Sequence, residues 1–143
     1  MDQRYSRSSE LGFTLLEVMI TVAIVAILSS IAYASYDSFM VNSRRAAAAT
    51  CLQERAQFME RYYSTYLTYN RVATPPVIAQ CGAEITPFYQ VGMRAGSLGA
   101  KTYILQAVPQ GIQAAKDVGC RTLTLNAQGV RGVTGTKPVE RCW

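Results

Sequence analysis

From Phe13 to Thr74 the chain contains neither glycine nor proline, whereas nine of its 10 glycines and all 5 prolines lie from Pro75 onward. These two residues disfavour a helix interior most, by about 1 and about 3 kcal/mol relative to alanine. Their absence predicts one long helix, from Phe13 to about Tyr66. Its two halves suit different solvents. Phe13 to Tyr36 reads FTLLEVMITVAIVAILSSIAYASY, and its one side chain charged at neutral pH is Glu17. The uncharged part, Val18 to Tyr36, rises about 1.5 Å per residue to roughly 28 Å, close to the thickness of a bilayer core. The second half, SRRAAAATCLQERAQFMERYY, is amphipathic. Leu52, Ala56, Met59 and Tyr63 recur on one face, while Gln53, Glu54, Gln57, Glu60 and Arg61 lie largely elsewhere.

Glu17 is the anomaly in this pattern. A carboxylate inside a membrane-length segment is costly and marks a functional position with a partner to be found. Gly12 precedes the apolar run, and the polar stretch before it, MDQRYSRSSEL, carries Arg4 and Arg7 like the leading part of a targeting segment. Cleavage after Gly12 would place the new amino group of Phe13 near the depth of a Glu17 carboxylate on a neighbouring copy. Two simpler readings compete. In a secretory signal peptide, cleavage after Ala32-Tyr33-Ala34 would release a soluble head beginning at Ser35. The charge of Glu17, and an apolar run longer than the usual 7 to 15 residues, oppose it. A plain signal anchor would leave Glu17 without a purpose.

After Asn70 the texture changes. Residues 71–87 read as a loop, with Pro75-Pro76 and Gly82. Phe88–Met93, Lys101–Val108 and Cys120–Asn126 read as strands, a hairpin turn falls near Gly96 to Gly99, and residues 109–119 form a longer connection. The expected fold class is α+β: a long N-terminal helix packed on a small antiparallel sheet of three to four strands. Four cysteines, no histidine and no CxxC spacing disfavour a zinc site and favour two disulfides in an oxidising compartment. The residues alone leave all three pairings open. No histidine, no Gly-rich phosphate loop and no nucleophile with an evident base are present, so neither an enzyme nor a cofactor is expected.

Two surface features have a plain and a sharper reading. With 14 Lys+Arg against 9 Asp+Glu, the formal charge is +5. A solvated basic surface is the primary reading. The alternative is a salt-sensitive DNA-contacting strip formed by Arg121, Arg131, Lys137 and Arg141 near Trp143. Likewise, Tyr62, Tyr66 and Tyr69 could share a helix face as a ligand platform, although packing of core or loop is the primary reading.

The run Gly12-Phe13-Thr14-Leu15-Leu16-Glu17 resembles the prepilin signature of type IV pilins and type II secretion pseudopilins, and the likeness extends through Ser35-Tyr36. The C-terminal stretch, CRTLTLNAQGVRGVTGTKPVERCW, is similar to minor pilins of the PilE type. This resemblance implies a leader at 1–12, a membrane and filament-core segment at 13–36 and a globular head at 37–143. A prepilin peptidase would cut between Gly12 and Phe13, and the new amine of Phe13 would be methylated. Glu17 would neutralise that amine on an adjacent subunit. Implied partners are other pilin subunits, the peptidase, an inner-membrane assembly platform and membrane lipid. The chain would be single-pass in a bacterial inner membrane with its head in the periplasm, and then extracellular in the pilus, serving twitching motility, adhesion or DNA uptake. Alternatives within this resemblance are a secretion pseudopilin and a DNA-binding pilin of natural transformation. The implied disulfides are Cys51–Cys81 and Cys120–Cys142, the latter closing a C-terminal loop. The sequence departs from the family in the length of its leader, in Glu10-Leu11 before the cut and in Ala34, where many pilins carry proline.

Overall fold

The computed structural model describes residues 12–143, with Ala34 described by its backbone alone. The expected leader up to Leu11, including Glu10, lies outside the described residues. The chain divides into two compact units, one ending at Asp37 and the other spanning Ser38–Trp143. Helix α1 (Leu15–Tyr66) contributes to both.

In the first unit α1 begins two residues later than the composition predicts, because Thr14 acts as its N-cap. The Glu17 backbone N–H donates to Thr14 Oγ1 at 3.2 Å. Thr14 and Glu17 thus hold the first and last positions of a Thr-x-x-Glu capping sequence, which satisfies one orphan donor of the first turn. The described side chains from Phe13 to Tyr36 are all exposed. Two of the few polar ones turn back onto the helix. Thr21 Oγ1 donates to the Val18 carbonyl at 2.9 Å, and Ser30 Oγ donates to that of Ile27 at 2.7 Å. Hydroxyls satisfied within the helix are compatible with an apolar solvent. The helix continues through position 34, where Ala34 leaves the backbone N–H that a proline would remove.

In the second unit α1 ends at Tyr66. Leu67 takes a left-handed conformation (φ 56°) and donates its N–H to Tyr63 O at 2.7 Å, the hydrogen-bonding pattern of a helix end. Strands β1 (Tyr89–Met93), β2 (Ile104–Pro109), β3 (Leu123–Asn126) and β4 (Arg131–Val133) form one antiparallel sheet in sequence order. Val91 lies opposite Ala107, Leu105 opposite Leu125, and Ala107 opposite Leu123. Val91, Leu105, Ala107 and Leu123, with Tyr89 and Tyr103, form the sheet side of a core that takes Ala48, Leu52 and Met59 from α1. Leu52 and Met59, predicted from helical spacing, are fully buried, and Ala56 and Tyr63 flank them. Complete burial of side chains of this size contributes about 1.5–3 kcal/mol each.

Two elements differ from the sequence expectation. The connection after β2 contains a short helix, α2 (Gly111–Lys116), and the tail contains β4 followed by a 3₁₀ turn (Val139–Arg141). Asn126 and Gly129 enable β4. Asn126 Oδ1 accepts the N–H groups of Gln128 and Val130, and Gly129 adopts φ +76°, which favours glycine. The elements are joined by a buried polar cluster. Arg45 of α1 pairs with Asp117 at 2.5 Å, and Tyr89 of β1 donates its hydroxyl to Asp117 Oδ2 at 2.8 Å. Gln113 of α2 donates to the carbonyl of Val41 at 3.0 Å and to Tyr89 Oη at 3.1 Å.

Candidate functional site

The C-terminal loop gathers the basic residues singled out above. Cys120 and Cys142 are bonded, with Cα atoms 5.6 Å apart. Arg121 follows one cysteine and Arg141 precedes the other, so both cations flank the bridge in sequence. Lys137 enters the same place: its backbone N–H donates to Gly119 O at 2.8 Å, and its methylene stem lies against Gly119. Arg131, at the start of β4, carries its guanidinium 5.3 Å from the ring centre of Trp143, the residue after Cys142. Trp143 is fixed in turn by its indole N–H, which donates to Gly132 O at 3.1 Å. All four cations are exposed. In the stretch from Val118 to Trp143 the sole acid is Glu140. The disulfide-closed segment thus carries four exposed cations, one of them, Arg131, packed on the Trp143 ring. Such cations can neutralise phosphates, and the ring supplies a stacking face.

Cys51 and Cys81 form the other bridge, with Cα atoms 6.1 Å apart, and it ties the loop after α1 to the helix. The tyrosines do not form the three-membered platform that helical spacing allowed. Tyr62 and Tyr66 do pair, with ring centres 4.7 Å apart, and the Arg71 guanidinium lies 4.5 Å from the ring centre of Tyr66. Tyr69 lies beyond the end of α1, so it leaves that face. It packs instead on Tyr63 and Tyr103 at 4.7 and 4.8 Å. The hydroxyls of Tyr69 and Tyr103 both donate to Glu60 Oε1, at 2.9 and 3.0 Å. Burial, and then the hydrogen bond to Glu60, push the Tyr69 phenol up to about 12. The same two causes raise Tyr103 further. These tyrosines are protonated donors that close the helix–sheet seam.

At the other end of the chain, Gly12 and Phe13 precede the helix, Phe13 is 81% exposed, and Glu17 sits in the first turn. Among the described residues no cation pairs with Glu17, and no group of His, Cys, Asp and Glu is arranged to hold a metal ion. By length and composition α1 is able to cross a membrane.

Comparison with known proteins adds three findings. The sequence model of a family described as the type IV minor pilin ComP, DNA uptake sequence receptor, matches residues 34–124. That of the prokaryotic N-terminal methylation motif matches residues 7–33. Among solved structures, the non-core minor pilin PilV of Neisseria meningitidis has a similar fold, with a TM-score of 0.53 and 26% identity over 71% of this chain and 93% of that one. Curated protein sequences give no match.

Proposed function

This chain belongs to the ComP family of type IV minor pilins, and from that premise we propose that it is a pilus subunit whose head captures DNA on the segment closed by Cys120–Cys142. The fold is that of a type IV pilin, and the family is structural rather than enzymatic. Its methylation motif and apolar N-terminal segment mark a subunit that is anchored in a membrane and then assembled with other pilins.

The finer steps follow from residue positions. A prepilin peptidase cuts between Gly12 and Phe13, and Phe13 is methylated at its new amine. The subunit waits in the bacterial inner membrane, surrounded by lipid, with its head (37–143) in the periplasm. An assembly platform then moves it into an extracellular filament, where Glu17 meets the Phe13 amine of a neighbour. The filament serves DNA uptake, with twitching motility and adhesion as the other outputs of such fibres.

The observation that carries DNA capture is that Arg121, Arg131, Lys137 and Arg141 are all exposed within one segment closed by Cys120–Cys142. If each cation meets one phosphate, the logarithm of affinity for duplex DNA falls with the logarithm of salt concentration with a slope of about −3 to −4. The test is a fluorescence titration of labelled duplex with the full chain in detergent micelles across a salt series. Replacing all four residues with alanine is expected to flatten the slope toward zero. An unchanged slope in that variant would place the DNA elsewhere.

A further inference from the structure

The two disulfides are shielded to different degrees. Cys120 and Cys142 are 0% and 3% exposed, so both ends of that bridge are closed to solvent. Cys51 is buried as well, but its partner Cys81 is only half-buried. A cavity of about 330 Å³ is lined by both Cys51 and Cys81. A disulfide is opened by a thiolate that attacks one of its sulfurs, so access helps decide which bridge can react. No residue of 71–84, the stretch that Cys81 ties to α1, is buried. Besides the bridge and the partial packing of Ile78, this stretch is held by a few hydrogen bonds: Tyr62 Oη to Thr74 O, Arg55 Nη2 to Gln80 O, and the Gln80 carboxamide to the backbone of Val91. A segment with so few buried contacts has little stability of its own.

Arg55 lines the same cavity. It stands four residues after Cys51 on α1, and helical side chains lean toward the N-terminus, so it covers the turn that carries Cys51. Its Nη2 donates to Gln80 O at 3.2 Å, while its Nε is buried and has no hydrogen-bond partner. A buried donor of a charged group without an acceptor is costly. A thiolate on Cys51 would supply a negative acceptor beside it. Arginine stabilises a neighbouring thiolate, and a more stable leaving thiolate departs faster. Glu54 and Glu84 also line the cavity, but both are exposed and salt water screens their charge.

We propose that Cys51–Cys81 is a thiol-exchange site, with Cys51 as the leaving thiolate stabilised by Arg55, and that its opening releases residues 71–84 from α1. The thiolate of a small thiol attacks Cys81 Sγ. A bond forms between the attacking sulfur and Cys81, the Cys51–Cys81 bond breaks, and its electron pair stays on Cys51 as a thiolate. A second thiolate then attacks the first thiol's sulfur, Cys81 departs as a thiolate, and the two small thiols leave joined as their own disulfide. They are oxidised and the bridge is reduced. In an oxidising compartment the reverse reaction restores the bridge, so the extent of opening follows the local supply of thiol.

The test treats the full chain in detergent micelles with reduced glutathione at neutral pH, followed by acid quenching, alkylation and peptide mass mapping. Glutathione is expected on Cys81, with Cys51 alkylated, about tenfold or more faster than on Cys120 or Cys142. Opening of Cys120–Cys142 at an equal or greater rate would overturn the assignment, as would glutathione carried by Cys51 with Cys81 free. Arg55→Gln is expected to slow the exchange by about threefold or more, and Arg55→Lys to restore it. Faster exchange in Arg55→Gln would show that the guanidinium clasps the loop, and would overturn its role beside the leaving thiolate. Release is read at the Val91 amide, which donates to Gln80 Oε1. Its hydrogen exchange in the opened chain is expected to quicken by about tenfold or more. An unchanged rate there would overturn the release of 71–84.

Discussion

Asp117 and Glu17 are carboxylates treated in opposite ways by one chain. Asp117 is 3% exposed and has its counter-charge from Arg45, 72 residues away, with the hydroxyl of Tyr89 as a further donor. Glu17 lies in a first turn whose neighbours are all exposed, with no ion pair among the described residues. The same contrast separates the two stretches of α1. From Val41 onward one face is buried against the sheet, whereas from Phe13 to Tyr36 the described side chains await a solvent of another kind. The head is therefore complete within the chain. Under the proposed function, lipid or other subunits would complete the N-terminal segment, and Glu17 would distinguish these two surroundings.

Two substitutions test that contrast. The larger effect is expected at Glu17. Glu17→Leu should still yield a chain beginning at methylated Phe13, by terminal sequencing and intact mass, with a head that melts like wild type. Incorporation into sheared pili, measured by immunoblot, should fall to background. Incorporation at the wild-type level would mean that Glu17 pairs with nothing in the filament. At Asp117 the expected pattern is reversed. Asp117→Ala leaves the buried Arg45 without a partner, a change that typically costs about 3–5 kcal/mol. Denaturant unfolding of the full chain in micelles should show this loss. In contrast, the double variant Arg45→Met, Asp117→Leu should recover most of the stability, because apolar replacement of a buried pair is often neutral. A double variant as unstable as Asp117→Ala would show that the pair does more than neutralise itself.

The sequence made one side of this contrast easier to read than the other. The apolar segment is homogeneous, so composition alone located it, and the Leu52 and Met59 face followed from a period of 3.6. The Thr14 cap was missed, although Thr14 and Glu17 stand at capping-box spacing ahead of an apolar run, and the helix start was set two residues early. What escaped was short or distant. Helix α2 has six residues and begins with a glycine, and β4 has three residues with a glycine at its centre, too few for a period to emerge. Arg45 sits beside Arg44 in a run that reads as solvated surface. Its partner lies 72 residues further on, just after α2, and nothing local announces it. The cations of the tail were read together as a strip, whereas the packing of Arg131 on Trp143 was not visible in the sequence. Tyr69 was misplaced because α1 ends three residues earlier, at a left-handed Leu67 rather than at a glycine.

The smallest expected effect concerns the helix–sheet seam, where protonation stands in for charge pairing. Tyr69 and Tyr103 donate to Glu60, Tyr89 donates to Asp117, and all three phenols are raised above their usual value near 10, first by burial and next by these bonds. A phenol whose pKa is higher folded than unfolded favours the folded state while it stays protonated. Its contribution is fully present below pH 10 and is lost as pH rises through about 10 to 12 for Tyr69, and higher for the other two. Each such group steepens the alkaline decline by up to about 1.4 kcal/mol per pH unit while it is charged in the unfolded chain alone. Tyr69→Phe combined with Tyr103→Phe should lower stability at neutral pH by the loss of two hydrogen bonds, about 0.5–1.5 kcal/mol each. The same variant should show a shallower decline between pH 10 and 12, with the Tyr89 contribution left in place. Urea unfolding across that range, in wild type and variant, separates the two effects. Parallel alkaline slopes would mean that the seam is held by ring packing, with the hydroxyls of Tyr69 and Tyr103 contributing nothing that pH can remove.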